Sequence, residues 1–563
     1  MMKKSLIKIY VFTLFVSIVS VSCEDFLEDA ILDQVSEESI YSTVNGLEVG
    51  VNGLYNQYRS YNAPAGEAGG GGIRAQMFFM AADDLGQFRT YTTPYQTESH
   101  TPAGFPGYKW VEGYQLIDRC NAIIQNSENI AVEGADLIRM NRIVAQARLM
   151  RAELYIDLIR MYDNILLDTT ATTAENANDP ITYEVADPVA VFEVIDGDLD
   201  FAIEHLGYNE DYGRYNRSVA RHLKGKSSMW QAQYLPSIGI TSINVTAKYQ
   251  EAADQFDKII TESGRTLVPI NQVFGENLNH NEMLFAIVRD QDRGSTGAGD
   301  NLAGGAGTWL GAVFTNRLYE HGSGLFIHSA ENGGEALGWA YPNNYLQELY
   351  GTLVIPNPAR PWGRQIITND LRYTAYFYPE TYVSNNPNSP RFGEVIPVTD
   401  FENDIRRYHF SSKKFFDAEK GDRTNDSWKD YPMYRLAETF LLGAEAHSNL
   451  GETAIALEYM NKVRRRAYGL EYNTPAPSVD FTTWTLDTYL EESARELNLE
   501  RNRWFLLKRL GILVERQRLH YRFGANAAQV VTNAFPMADF MVRLPIPQNQ
   551  IDLMKTFPQN PGY

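Results

Sequence analysis

Ile143, Ala147, Met150, Leu154, Leu158 and Met161 recur at steps of three or four residues. That period places all six side chains on one face of an α-helix, and such a stripe must be covered by another element. The same period predicts helices over Gly46–Arg59, Glu112–Asn129, Val189–Leu206, Val219–Tyr234 and Lys248–Ser263, and again over Pro432–Leu450, Thr453–Tyr468 and Leu486–Val514. Joined by short turns, they must bury their stripes on one another as helix pairs. Arg435–Arg466 carries the logic of a tetratricopeptide pair. Ala444 is small where the first helix packs closely, Gly451 turns the chain, and Ala456 is small in the second helix. Lys248–Ile260 reads as another second helix, with Ala252 and Phe256 in matching positions. The expected fold is mainly α, an α-solenoid of tetratricopeptide-like helix pairs with an inserted loop-rich region containing short strands.

The insertion is expected at residues 267–430, between a helical region over 23–266 and a C-terminal helical region with an extended tail over 431–563. It is rich in Gly, Pro, Asn and Tyr, and its segment Gly294–Gly311 is too glycine-rich for regular structure. A second glycine-rich loop, Ala65–Gly72, follows the first helix. Loops carried on a rigid scaffold are the usual address of binding. In the tail, Pro545 and Pro547 forbid a helix. Leu544, Ile546, Ile551 and Leu553 suit an extended segment packed on the body.

The N-terminus constrains location. Lys3, Lys4 and Lys8 precede an apolar run from Ile9 to Val19, followed by Ser20, Val21, Ser22 and then Cys23. A basic region, an apolar core and a small-residue cleavage site make a signal peptide over residues 1–22. A stretch of roughly 12 apolar residues is shorter than the ~20 that a spanning helix needs. Cys23 directly after the site reads as a lipidated N-terminus, tethering a soluble body to a membrane. The net charge of −20 argues against nucleic acid as a partner and against electrostatic docking on anionic lipid. Of two cysteines in 563 residues, only Cys120 remains, a small core residue of a helical pattern, so no disulfide framework is available.

In this order and over this length, the pieces resemble the SusD/RagB family of Bacteroidota outer-membrane lipoproteins. Cys23-Glu-Asp-Phe-Leu-Glu resembles the family's mature start, and Asn52-Gly-Leu-Tyr-Asn its first helix. Ala147-Arg-Leu-Met-Arg-Ala-Glu-Leu-Tyr, Arg435-Leu-Ala-Glu-Thr-Phe-Leu-Leu-Gly-Ala-Glu-Ala and the ending Leu544-Pro-Ile-Pro are similar to its other recurring segments. The helix Glu496–Gly511 also matches, though Leu506 replaces a common Asp and Leu510 a common Trp; near the end Met554-Lys555 replaces an Asn-rich stretch. These departures touch packing. The resemblance implies a non-catalytic protein, and the residues themselves point to no cofactor or metal. It would capture oligosaccharides at the cell exterior and sit as a lid over a SusC-like TonB-dependent transporter, anchored in the outer membrane by its N-terminal lipid. The RagB-like branch implies peptide capture instead. Arg435, Glu438 and Glu445, on a helix full of apolar residues, are expected in a buried ion network.

Other motifs carry less. Ala220–Ser227 satisfies a loose phosphate-loop pattern, but it lies inside a helical pattern with no strand leading into it. The nine His show no zinc spacing. Asp290-Gln-Asp292 opens like a calcium loop, with Ser295 where glycine is required. Asp83-Asp84 are adjacent, whereas a glycosidase needs opposed carboxyls. Sugar binding needs a flat aromatic face with polar groups around it. Among 34 Tyr, 27 Phe and 8 Trp, the ligand-binding candidates by context are Trp309 in the glycine-rich loop, Trp339 and Tyr341 before Pro342, and Tyr91 and Tyr95 beside Arg89. The resemblance places the site in the loop between the first two helices and in the inserted loops, which fits Asp83–Gly107 and Gly294–Tyr341. A secreted glycosidase and a protein-binding scaffold remain alternatives.

Overall fold

The computed structural model describes residues 40–62, 82–87, 105–179, 182–289, 307–320, 324–354, 365–378, 381–397, 410–520 and 537–563. Cys23, Arg89, Tyr91, Tyr95, Ala65–Gly72 and Asp290–Asp292 lie outside these residues. In chain order the N-terminal elements are α1 (Val44–Asn62), β1 (Leu85–Gln87), α2 (Phe105–Ser127), α3 (Gly134–Tyr162), α4 (Pro188–His205), α5 (Arg217–Ser237), α6 (Val245–Glu262) and β2 (Met283–Ile287). The middle holds α7 (Leu310–Val313), β3 (Ala340–Pro342), α8 (Asn344–Tyr350), β4 (Thr352–Val354), β5 (Gln365–Ile367), α9 (Leu371–Tyr376), β6 (Thr381–Val383) and β7 (Val395–Pro397). β8 (Tyr431–Arg435), α10 (Leu436–Asn449), α11 (Thr453–Ala467), α12 (Leu486–Leu497), α13 (Arg503–Arg509), α14 (Leu513–His520) and α15 (Gln548–Met554) follow.

The fold is mainly α. Neighbouring helices pack in a continuous series: α2 on α3, α3 on α4, α4 on α5, α5 on α6, α6 on α10, and α10 on α11. Side-chain caps set several starts. Asp187 accepts from the Val189 amide just before Pro188, Asn216 from Ser218 and Val219, and Asn244 from Ala247. The long helix α3 is the hub. Its stripe predicts one buried face, yet every residue from Leu149 to Tyr162 is buried, because α1, α2, α4 and the C-terminal tail enclose it. Its charged residues are therefore paired. Arg151 donates to Asp198 of α4 at 2.7 Å. Glu153 accepts the hydroxyls of Tyr58, Tyr215 and Tyr434, at 2.7, 2.5 and 2.5 Å.

The solenoid seam explains two glycines and an aromatic. Phe256 of α6, Ala252, Ala444 and Ala456 are fully buried, and Gly451 turns the chain at φ +80°. A Cβ on Gly225 of α5 would lie 2.5 Å from the Phe256 ring, and one on Gly443 of α10 would lie 3.1 Å from the Tyr459 ring. The absence of side chains there lets three helices close on Phe256. Cys120 is buried within α2, and Ala220–Ser227 lies wholly inside α5, where no phosphate loop can form.

Four expectations are corrected, two of helix and two of extended or irregular backbone. Tyr431–Arg435 is a strand, not the start of the Pro432–Leu450 helix. It pairs antiparallel with β2, both strands fully buried. Pro432 biases Tyr431 to extended backbone, and the helix begins only at Leu436. Leu486–Val514 is not one helix but α12, α13 and the start of α14, broken where Leu499, Arg501 and Gly511 take positive φ. The tail is extended over Leu544–Pro547, as Pro545 and Pro547 require, with Leu544 and Ile546 buried and the Leu544 amide on the Met161 carbonyl at 2.8 Å. It then turns into α15, whose Leu553 is 68% exposed. Pro547 stands just before that helix, where a missing N–H costs nothing. Leu310–Gly311, within the stretch read as irregular, opens the short α7.

The expected ion network is present and larger. Arg435 bonds Glu282, Glu496 and Glu500, Arg466 bonds Glu282 and Glu496, Arg372 bonds Asp370, Glu492 and Glu496, and Lys414 bonds Glu500. Glu438 and Glu445 belong to two separate sets. Glu438 pairs with Lys226 and His222, and Glu445 with Arg509 and the Tyr489 hydroxyl.

Candidate functional site

The four strand pairs among the described residues are two-stranded and antiparallel, and one of them builds the site. β1 pairs with β3 in the register Leu85 to Pro342, Gly86 to Tyr341 and Gln87 to Ala340. The two neighbourhoods picked out in the sequence, Asp83–Gly107 and Gly294–Tyr341, are thereby tied together. Trp339 and Tyr341 are buried, at 3% and 4% exposure, and act here as the inner wall of the corner. Trp309 is half-buried. Its glycine-rich surroundings leave it with few near neighbours in sequence, but the fold supplies them. Its ring meets Trp339 edge to face, with centroids 6.3 Å apart, and its indole N–H donates to Asp426 Oδ1 at 2.9 Å.

A strap over residues 410–430 carries Asp426. Thr308 and Ser427 exchange backbone hydrogen bonds, both at 2.9 Å. The approach is so close that a Cβ on Gly307 would stand 2.6 Å from Asp426 Cβ. Asp417 Oδ2 accepts the Ser427 hydroxyl at 2.9 Å and the Trp428 amide at 2.8 Å. Lys429 donates to the Phe274 and Phe416 carbonyls, and Lys420 to the Gly333 carbonyl. Burial pushes the Asp426 carboxyl above its usual range, against the Trp309 N–H and the Arg289 and Lys420 charges that favour its ionised form. Burial likewise pushes Arg289 down to about 10. The corner offers a fixed indole with a carboxylate at its edge. That combination suits a ring with an apolar face and hydroxyls at its rim. Sequence reading missed Asp426, which lies 117 residues from Trp309 in a polar loop with no periodic signal.

The base of the β1 strand is a charged latch. Asp83 and Asp84 are both buried, so neither carboxyl is set out toward a substrate. Arg503 donates from Nε and Nη2 to the two oxygens of Asp83 at 2.7 and 2.8 Å, and Arg516 adds a third contact at 3.3 Å. Burial alone would raise Asp83, but Arg503 and then Arg516 hold it below the usual carboxylate range. Asp84 has no such partner among the described residues; burial, and then the neighbouring Asp83 charge, push it up to about 7. Asn343 locks the latch to the corner by donating its side-chain amide to the Asp83 carbonyl and its backbone N–H to the Asp84 carbonyl. No group of three or more His, Cys, Asp or Glu among the described residues is placed to hold a metal ion. No helix among them is long and apolar enough to cross a membrane.

Residues 364–563 match the family model for the SusD family. SusD-like protein P25 of Formosa agariphila is 24% identical to this chain over 100% of both sequences. A SusD homolog from Bacteroides thetaiotaomicron is similar in structure with a TM-score of 0.70 at 18% identity, covering 94% of this chain and 98% of the other. A laminarin-binding SusD-like protein superimposes with a TM-score of 0.64 at 19% identity, covering 92% and 99%. At these identities the structural likeness concerns the fold.

Proposed function

With the chain a member of the SusD family, we propose that it is a non-catalytic glycan-binding protein. It captures oligosaccharides at the cell exterior and delivers them to a SusC-like TonB-dependent transporter. The observation that carries this reading is the Trp309 corner, a half-buried indole held by Trp339, just before β3, and by Asp426 of the strap. A pyranose stacks its apolar face on such a ring while its hydroxyls reach the surrounding polar groups. Arg89, Tyr91 and Tyr95, which follow β1 in the sequence, are proposed as further contacts.

Trp309→Ala should weaken binding of a glycan recognised by the wild type by about 1–3 kcal/mol, the range for a lost aromatic anchor. Isothermal titration calorimetry reads this as a roughly tenfold to hundredfold rise in Kd. Circular dichroism should be unchanged, because the core side of the corner, Trp339, is retained. Equal affinity in the variant would remove Trp309 from the site.

Delivery implies an anchor and a partner. Cys23, lipidated after cleavage behind Ser22, holds the protein on the outer membrane, with its body as a lid over the transporter. Mild-detergent pull-down of the native protein should recover a TonB-dependent barrel. The Cys23→Ala variant should leave the membrane fraction or remain uncleaved. Recovery of the native protein alone, or normal cleavage and membrane retention of Cys23→Ala, would contradict the lid arrangement.

A further inference from the structure

A second cavity lies away from the Trp309 ring. It opens between residues 267–274 after α6, the exposed side of α9, the start of the 410–430 strap and the C-terminal end of α11. Its volume is about 800 Å³, within the ~300–1,000 Å³ usual for small-molecule sites and enough for about two or three sugar rings. The lips are apolar: Leu371 and Leu470 are each 41% exposed. They are brought together by Gly469, where a Cβ would touch Leu371 at 3.0 Å. Inside, the half-buried rings of Phe416 and Tyr472 supply flat apolar surface.

The cleft carries one ammonium, Lys413, and one free carboxylate, Glu471, which form no ion pair with each other among the described residues. Arg466 lines it, but its guanidinium is committed to Glu282 and Glu496 at 2.8 and 2.6 Å. Glu471 is exposed and turns one oxygen to the Asn473 amide at 3.3 Å. Lys413 is half-buried on the strap. Its backbone amide bonds the Tyr376 carbonyl, while its ammonium forms no ion pair or hydrogen bond among the described residues. Burial moves that ammonium below its usual range. Burying a cation without a counter-charge is costly, and an incoming carboxylate removes the cost. The Asn271 amide, exposed at the same mouth, adds a donor and an acceptor for hydroxyls.

We propose that this cleft is a second binding site, and that it takes a carboxylate-bearing oligosaccharide of two or three rings, its acid group on Lys413 and a ring against Phe416 or Tyr472. The assignment goes beyond the Trp309 corner and does not require that corner to bind sugar. The two sites share a wall. Lys413 and Phe416 line the cleft, while the adjacent Asp417 of the same strap braces Ser427 and Trp428 next to Asp426.

The test titrates the full-length mature protein with a glucuronic acid-terminated disaccharide and with its neutral glucose counterpart, read by calorimetry. The acid should bind at least about tenfold more tightly than the neutral sugar, as expected for a charge-assisted pair worth about 1.4 kcal/mol. Lys413→Met keeps the apolar stem and should abolish that preference. Thr374→Trp, at the exposed mouth on α9, should block the acid without touching the core. Trp309→Ala should leave acid binding unchanged, so that failure of the corner and failure of the cleft give different results. Equal affinity for both sugars, no binding of the acid by the wild type at millimolar concentration, or unchanged acid binding in Lys413→Met overturns the assignment. Loss of acid binding in Trp309→Ala with none in Lys413→Met would move the acid to the corner and overturn it equally.

Discussion

Glu496→Ala should lose about 3–5 kcal/mol of stability, the cost of leaving buried partners of an ion network without their counter-charge. Glu496 is fully buried and takes hydrogen bonds or ion pairs from three guanidiniums, Arg372, Arg435 and Arg466, at 3.1, 2.7 and 2.6 Å. Burial by itself would raise its pKa; the Arg466, Arg435 and Arg372 charges, with Lys414, hold it well below the usual range. These partners come from four different parts of the chain: α9, the end of β8, α11 and the strap. Removing one carboxylate therefore strands cations in the joint between the solenoid and the insertion. Native domains have only about 5–15 kcal/mol to spare, so the variant should show a sharply lowered urea midpoint or fail to accumulate. A matched variant, Glu48→Ala, removes an exposed carboxylate paired with Arg139 on the surface and should change stability by less than about 1 kcal/mol. Equal midpoints for Glu496→Ala and the wild type would show that the network holds nothing together.

A second large effect is expected at Asp84, and its sign is opposite to that of an ordinary paired carboxylate. Its folded pKa stands at about 7 against 3.8 for the free side chain. Below about pH 4 the group is protonated in both states and costs nothing. As pH rises from there the unfolded chain gives up its proton first, and stability falls until the folded group also ionises, near pH 7. At about 1.4 kcal/mol per unit of pKa, the loss is on the order of 4 kcal/mol by pH 8. Asp84→Asn keeps the shape and stays neutral. It should match the wild type near pH 4 and exceed it in melting temperature at pH 8. Asp83→Asn should do the reverse at neutral pH, because it unpairs Arg503. A wild-type melting temperature that rises from pH 5 to pH 8 in step with that of Asp84→Asn would contradict the buried, unpaired state of Asp84.

What the sequence disclosed, and what it withheld, follows from range. The stripe from Ile143 to Met161 and the small residues Ala252, Ala444 and Ala456 are local signals of period and volume. They located the helix pairs because a helix is decided within a few turns. Tyr431–Arg435 failed as a helix because its strand partner, Met283–Ile287, lies some 150 residues away, and nothing local distinguishes a short buried strand from a helix start. The break between Leu497 and Arg503 depends on left-handed Leu499 and Arg501, residue types that give no warning of it. Arg435, Glu438 and Glu445 were legible as buried ions because charge on an apolar face demands partners. The division of the three among separate partner sets was not, since Glu282, Lys226 and Arg509 come from distant elements. The corner was half legible. Trp309 stood out as an aromatic among glycines, whereas Asp426 and the bracing strap were invisible. Trp339 and Tyr341, equally conspicuous, are turned inward by the β1–β3 pairing. Lys413 gave no signal at all, because its isolation is a property of four converging segments.

The proposed function has this chain holding glycans without cutting them. Native electrophoresis of the purified protein through gels containing soluble polysaccharides tests it most directly, with reducing ends assayed in the same mixtures after prolonged incubation. The expected result is retarded migration in at least one polysaccharide, relief of that retardation in Trp309→Ala, and no new reducing ends. Release of reducing ends, or free migration in every polysaccharide together with retention on a peptide column, would contradict it.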